Sequence, residues 1–302
     1  MKFIIVNDNA GRGYCKKILP RLLNFFDTCF ERYKIEYTRG PDDAIYMAKS
    51  AVEEGYKEIV SVGGDGTALE ILQEAVDKDM LLSIIPAGTG NDLAKSLGFS
   101  TEIDLFLSEY KTQLTNKKES LVDIAYSEQY GPFFSICGLG FITEALIYVN
   151  NTRDSFIKGR LSFANAVFQT LRNLKCTDLE IEVDGVSHKR SSVLVGVINS
   201  TFAGGGMKFV PEAKINDGYL HVFLVSDISG LELLKVFPKV YKGEHLNHRA
   251  VEVFKGKKVS ITSKGDIPAS FDGNVYGSTP LSIYIREQSQ RVITGPKFEE
   301  GK

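Results

Sequence analysis

A chain of 302 residues that is 43% hydrophobic and 25% charged has the mix of an ordinary soluble protein and ample apolar material for one or two cores. A formal charge of −2 gives no global basic field, so nothing in the balance points to nucleic acid, and any attraction to an anionic surface has to be local. Cys15, Cys29, Cys137 and Cys176 show no Cys-x-x-Cys spacing and read as reduced, mostly buried thiols, and no apolar run is long enough to span a bilayer.

Met1–Val6 is too short for a signal peptide and reads as a first strand, Phe3–Val6. The loop Asn7–Gly13 follows, then a helix rich in Leu and Phe to about Phe30. Ile35–Thr38 is a short strand. Pro41-Asp42-Asp43 opens a helix to about Glu54, whose stripe of Ala44, Met47, Ala48, Ala51 and Val52 is a core face. The apolar strand Ile59–Val62 runs into Gly63-Gly64-Asp65-Gly66-Thr67, with a helix from about Thr67 to Val76. Leu81–Pro86 is a further buried strand. It enters Ala87-Gly88-Thr89-Gly90-Asn91-Asp92 and a helix at about Asn91–Leu97. Alternation of strand and helix up to Gly98 predicts a parallel sheet in a three-layer α/β domain.

Glycines remove the Cβ atoms that keep backbone away from a ligand, and the first N–H groups of a helix favour phosphate. Two such loops in succession place phosphate-compatible turns at one edge of a parallel sheet, where open α/β sheets bind ligands. Asp65 would repel a phosphate unless it serves a metal ion or accepts a proton. Taken alone, this loop reads equally well as a tight turn with an Asp cap.

The chain turns polar around Lys111–Ser120, which reads as a domain boundary. Beyond it the pattern changes to period two. Leu179–Val183 alternates, Asp184-Gly185 is a hairpin turn, and Ser192–Asn199 returns as an apolar strand. Tyr219–Val225, Val251–Phe254, Lys258–Thr262 and Leu281–Ile285 add strands, with helices at about Leu161–Leu174 and Gly230–Tyr241. A mostly β, sandwich-like second domain results, over residues 120–287, after an α/β domain over residues 1–119. The tail, about 288–302, is too short to stand alone and is expected to pack back on the first domain. Gly204-Gly205-Gly206 and Gly138-Leu139-Gly140 are too glycine-rich for strand interiors. His188, His221, His245 and His248 show no metal-ligand spacing, and His245 and His248 read as solvated. Lys16-Lys17 and Lys117-Lys118 read as solvated faces.

Gly63-Gly64-Asp65-Gly66-Thr67 with Pro86-Ala87-Gly88-Thr89-Gly90-Asn91-Asp92-Leu93-Ala94 resembles the diacylglycerol kinase catalytic domain, specifically the soluble bacterial lipid kinases. Gly204-Gly205-Gly206-Met207, Pro211, Ala213 and Asn216-Asp217-Gly218-Tyr219-Leu220 extend the resemblance over nearly the whole chain. It implies nucleotide contacts from Asn7, Asp8, Asn9, Ala10 and Gly11, from Thr38, from Gly63, Gly64, Asp65, Gly66 and Thr67, and from Thr89, Gly90 and Asn91. The family's first loop usually carries Asn-Pro, where this chain has Asn7-Asp8. The resemblance also implies a magnesium ion at Asp217 with the carbonyls of Lys214 and Tyr219; by itself, Asp217-Gly218 reads as a turn. The catalytic candidates it implies are Asp65, Asp272 and Asn274. Asn274 stands where the family's Asp-Gly-Glu motif has its glutamate, and an amide cannot accept a proton.

The implied activity is ATP-dependent transfer of a γ-phosphoryl group to a lipid hydroxyl, most simply that of diacylglycerol. ATP, magnesium and a membrane lipid are the partners, met from the cytoplasm at the inner membrane surface, and a homodimer is compatible with the chain. Kinases for another lipid, a long-chain alcohol or NAD remain open, as does a catalytically weak lipid- or nucleotide-binding regulator.

Overall fold

The computed structural model describes residues 1–151, 169–172 and 174–299. The first strands are β1 (Lys2–Val6), β2 (Tyr33–Tyr37), β3 (Glu58–Gly63) and β4 (Leu81–Pro86), in spatial order β2-β1-β3-β4 and all parallel. β4 is buried at every position and β3 at all but its first, so both faces are covered, as a parallel sheet requires. Cover comes from α1 (Ala10–Cys29), α2 (Asp43–Glu53) and α3 (Asp65–Ala75). α1 buries Cys15, Ile18, Leu22 and Phe26, and α2 buries Ala44, Ala48 and Ala51 at helical spacing. α4 (Asp92–Ser96) and α5 (Ile103–Thr115) follow. The polar stretch expected to be a boundary is thus helical through Thr115. Its Gln113 is buried, and Tyr110 just before it stacks on Phe25.

The remaining strands are β5 (Glu119–Ser127), β6 (Gly131–Phe133), β7 (Ile136–Gly140), β8 (Thr177–Val183), β9 (Val186–Ile198), β10 (Leu220–Ser226), β11 (Val251–Gly256), β12 (Lys258–Ser263), β13 (Pro268–Phe271), β14 (Asn274–Ser278) and β15 (Leu281–Ile293). Every pairing among them is antiparallel. Asp184 and Gly185 both have positive φ and close the β8–β9 hairpin in two residues, as the dipeptide predicts. α6 (Phe141–Asn151) leaves β7, and α7 (Gly230–Val236) follows β10.

β15 joins the two halves. Its first residues pair with β12, and Arg291 and Val292 pair in parallel with Leu81 and Leu82 of β4, after an irregularity between Arg286 and Gln290. The sheet is therefore continuous from the antiparallel half into the parallel half. Beyond β15, the Gly295 N–H donates to Leu97 O at 2.7 Å.

Several local expectations are corrected. Gly138 and Gly140 do lie in a strand, β7, because their neighbours leave no room for a side chain: an added Cβ at Gly140 would sit against Val193 O. His245 is 1% exposed rather than solvated, its Nε2 bonded to Phe209 O at 2.9 Å. The helix expected over Gly230–Tyr241 breaks into α7 and a 3₁₀ turn, Phe237–Lys242, at Pro238. Cys15 and Cys137 are buried, but Cys29 is half-exposed and Cys176 exposed. Most of the helix expected over Leu161–Leu174 lies outside the described residues.

Candidate active site

Three strand-to-helix turns meet at the C-terminal edge of the parallel sheet. Asn7, after β1, donates from Nδ2 to Thr67 Oγ1 in α3 at 3.1 Å. Glycine permits the remaining approach. An added Cβ at Gly88 would overlap Gly64 Cα, so the β3 and β4 turns are stacked backbone on backbone. Asp8, Asn9 and Ala10 follow Asn7, and Gly11, Arg12 and Gly13 are left-handed, so regular helix begins only after them. Gly11 lies against Ala87 O and Gly88 O, bringing the first loop onto the third. The space around Gly66 is open within 4 Å of where a Cβ would stand.

The other nucleotide candidates divide. Thr38 is buried at the end of β2 with its N–H committed to Val6 O at 2.9 Å. Thr89 is exposed at the tip of the β4 turn. Asn91, in left-handed conformation, spends its side chain on its own loop: Oδ1 accepts from Gly88 N–H at 2.8 Å and Nδ2 donates to Gly88 O at 3.2 Å. It shapes the turn.

Asp65 begins α3 but caps a different helix. Its two oxygens accept from Asp92 N–H at 3.1 Å and Leu93 N–H at 3.0 Å, the start of α4. Burial pushes its carboxyl up, and the charge of Asp92 adds to this, against the pull of those N–H donors. Asp272 arrives from the other half of the chain. It and Gly273 form the two-residue turn between β13 and β14. Its carboxylate accepts from Phe134 N–H at 2.7 Å, Ser135 N–H at 2.8 Å and Ile136 N–H at 2.9 Å. Burial nevertheless pushes it up to about 6, and the Asp65 charge adds to this.

Asp65, Asp92 and Asp272 line one cavity of about 150 Å³, whose other walls include Phe134, Ile136, Ile142, Leu146, Met207 and Phe209. The cavity spans the two halves of the chain. Asn274 is not part of it: the residue is exposed at the start of β14. Gly204-Gly205-Gly206, all with positive φ, tip the bridge between Ala203 and Met207 and reach across to α4. There the Gly205 N–H donates to Asp92 Oδ2 at 2.5 Å, and Lys95 Nζ holds Asp92 Oδ1 at 2.9 Å.

The diacylglycerol kinase catalytic domain is matched over residues 2–125, and the YegS C-terminal NAD kinase beta sandwich-like domain over residues 138–294. The chain belongs to the diacylglycerol kinase family. A diacylglycerol kinase of Bacillus subtilis is 29% identical over 280 residues, covering 92% of this chain and 90% of that protein. One of Staphylococcus saprophyticus is 28% identical over 300 residues, covering 96% and 94%. A crystal structure of a Bacillus anthracis diacylglycerol kinase superposes with a TM-score of 0.75 at 23% identity over 98% of this chain and 97% of that one, a likeness of fold.

The family implies magnesium at Asp217, and the donors there fit a hard cation. The Asp217 carboxylate is fixed by Tyr219 N–H on Oδ1 at 3.0 Å and by His221 Nε2 on Oδ2 at 2.8 Å. The Lys214 carbonyl accepts from Asp217 N–H at 3.2 Å and keeps a second lone pair. One carboxylate with backbone carbonyls suits magnesium, which retains several waters. Among the described residues no three His, Cys, Asp or Glu side chains gather into a metal cluster, so backbone carbonyls and water would have to complete the shell of an ion at Asp217.

Two acids escape a reading of motifs. Asp92 closes the second glycine motif, but its bond to Gly205 joins residues 113 apart in sequence. Asp123 sits in plain alternating strand sequence in β5. It is 2% exposed and accepts from Gly218 N–H at 2.7 Å and Gln288 N–H at 2.8 Å, tying the Asp217 turn to β15. Burial raises its carboxyl, as do the charges of Asp217 and Glu287.

Proposed function

We propose that this protein is an ATP-dependent kinase that transfers the γ-phosphoryl group to the hydroxyl of a membrane lipid, converting diacylglycerol to phosphatidic acid. The observation that carries this reading is that Asp65 and Asp272, from opposite halves of the chain, line one cavity whose other walls are largely apolar. Phosphoryl transfer needs positioning and charge neutralisation more than covalent chemistry. In this reading residues 1–119 hold the nucleotide, with phosphates along the stacked Gly64 and Gly88 turns. Residues 120–287 hold the acyl portion, and residues 288–302 return to the first domain. Asp217, with the carbonyls of Lys214 and Tyr219, would hold a magnesium ion, which would supply positive charge to the turn that Asp123 ties to β15.

Asp272 is the base. At about 6 its carboxyl is mostly ionised at neutral pH yet basic enough to take a hydroxyl proton. Asp65 holds α4 at the cleft and adds negative charge that keeps Asp272 basic. Asn274, outside the cavity, is not needed as a base.

The test is transfer of label from γ-labelled ATP to diacylglycerol, other lipids, long-chain alcohols and NAD. Label in phosphatidic acid supports the reading; label only in another acceptor moves the substrate, and label in NAD ends the lipid assignment. Asn274 favours one second reading, a weakly catalytic lipid- or nucleotide-binding relative. Measured ATP binding with no turnover on any acceptor, and large gain on Asn274→Glu, would establish that instead.

A further inference from the structure

α7 and the 3₁₀ turn after it, Phe237–Lys242, have two chemically distinct sides. Leu233, Val236 and Val240 face inward and are buried. The outer side carries Leu231 at 76% exposure, Leu234 at 41% and Tyr241 at 46%, interleaved with the exposed Lys235, Lys239 and Lys242. Singly exposed apolar residues need no explanation. Here two leucines and a tyrosine lie on one short amphipathic segment.

The charge on this side is unbalanced. Lys235, Lys239 and Lys242 have no carboxylate partner among the described residues. Two of the nearby acids are otherwise committed: Glu232 pairs with Arg249 and His248, and Asp227 with Arg249. Two acids without an ion pair among the described residues stand at the segment's end, Glu244 just past it and Glu212 next to Pro211, which lies against Gly243. In a chain of net charge −2 this is a local basic, apolar face.

Its position relative to the cavity is specific. Leu233 and Val240 of the buried side belong to one apolar cluster with Ile142, Met207 and Phe209, all cavity-lining residues. Backbone ties reinforce this: Lys208 N–H donates to Val240 O at 3.1 Å, and His245, just beyond the segment, bonds Phe209 O. The segment and this wall of the cavity therefore belong to one packed unit. Among the described residues no helix is long and apolar enough to cross a membrane.

We propose that the outer face of Gly230–Lys242 docks the protein on an anionic phospholipid bilayer, Leu231, Leu234 and Tyr241 entering the interface while Lys235, Lys239 and Lys242 meet the headgroups. Amphipathic segments with leucines on one side and lysines flanking them bind this way, lying in the interface plane. The consequence for function rests on the lipid-acceptor reading above: docking presents the apolar cavity to lipid in the bilayer.

The experiment is co-sedimentation of the full chain with vesicles of phosphatidylcholine, with and without phosphatidylglycerol, beside turnover on diacylglycerol in those vesicles and in detergent micelles. The parent binds the anionic vesicles, less so at high salt. The triple variant K235E/K239E/K242E binds them at least a hundredfold more weakly, since each lysine contributes roughly fivefold. L231S/L234S also loses binding, and both variants, altered only at exposed positions, keep the parent's melting temperature and its micelle turnover. Unchanged vesicle binding by both variants overturns the proposal. So does a parent that is dimeric by light scattering and becomes monomeric in these variants, which would make the face a contact between copies. Lysine-dependent vesicle binding without turnover on any lipid leaves docking standing and removes the kinase reading instead.

Discussion

Replacing Asp272 by Asn tests the base assignment without emptying its site. At neutral pH the ionised carboxylate is a cost to the fold: a value of about 6 in place of 3.8 is worth about 3 kcal/mol. The substitution removes that cost. It also removes acceptors, because Phe134, Ser135 and Ile136 all donate to this side chain and an amide oxygen has two lone pairs for three N–H groups. One donor left unpaired costs about 1–3 kcal/mol. The two effects nearly cancel, so melting should move by less than roughly 8 °C. Turnover, in contrast, should fall by about 10²–10⁴ with ATP affinity kept. The pH dependence gives a second readout. The folded carboxyl lies above its unfolded value, so the folded state binds more protons between about pH 4 and 6. Asp272's contribution to stability therefore declines as pH rises through that window, and Asp272→Asn should lack this decline. Over the same range the parent's kcat/KM should rise as the base ionises. Turnover within tenfold of the parent in a folded variant would refute Asp272 as the base, as would an acid limb that survives unchanged.

Three further outcomes follow from the geometry. Gly88→Ala forces a Cβ into Gly64 Cα, and stability should drop by about 1–3 kcal/mol with ATP affinity weakened at least tenfold by calorimetry; normal affinity would mean that the turns need not stack. Asp92→Ala deletes the bond to Gly205 and leaves Lys95 with Gly90 O alone, so turnover should fall at least tenfold with a modest melting loss, whereas unchanged turnover would make this link between the halves dispensable. Asp217→Ala should flatten the rise of melting temperature with added magnesium, because an ion stabilises the state that holds it; identical titrations would reduce Asp217 to a turn residue.

Much of the fold was determined locally. Buried β3 and β4, the helical stripes of α1 and α2, and the hairpin turn Asp184-Gly185 all follow from side-chain period and backbone freedom, which act over a few residues. The glycine turns and Asp65 are legible for the same reason. What the sequence could not decide was partnership across long separations. Asp65 looked like a residue of its own loop, but its carboxylate caps α4, 27 and 28 residues on. Asp272 and Asn274 sit two apart in one hairpin turn, and only the packing of Phe134–Ile136 against that turn separates them, drawing the aspartate inward and leaving the asparagine in solvent. His245 read as polar loop because its acceptor, Phe209 O, lies 36 residues away. Asp123 carried no motif at all, since burial in β5 between the Asp217 turn and β15 is a property of the assembled sheet. Local chemistry fixes which residues can turn, cap or bind, while the free energy of burying a charge, and hence which carboxylate becomes a base, is set by neighbours that only the tertiary structure supplies.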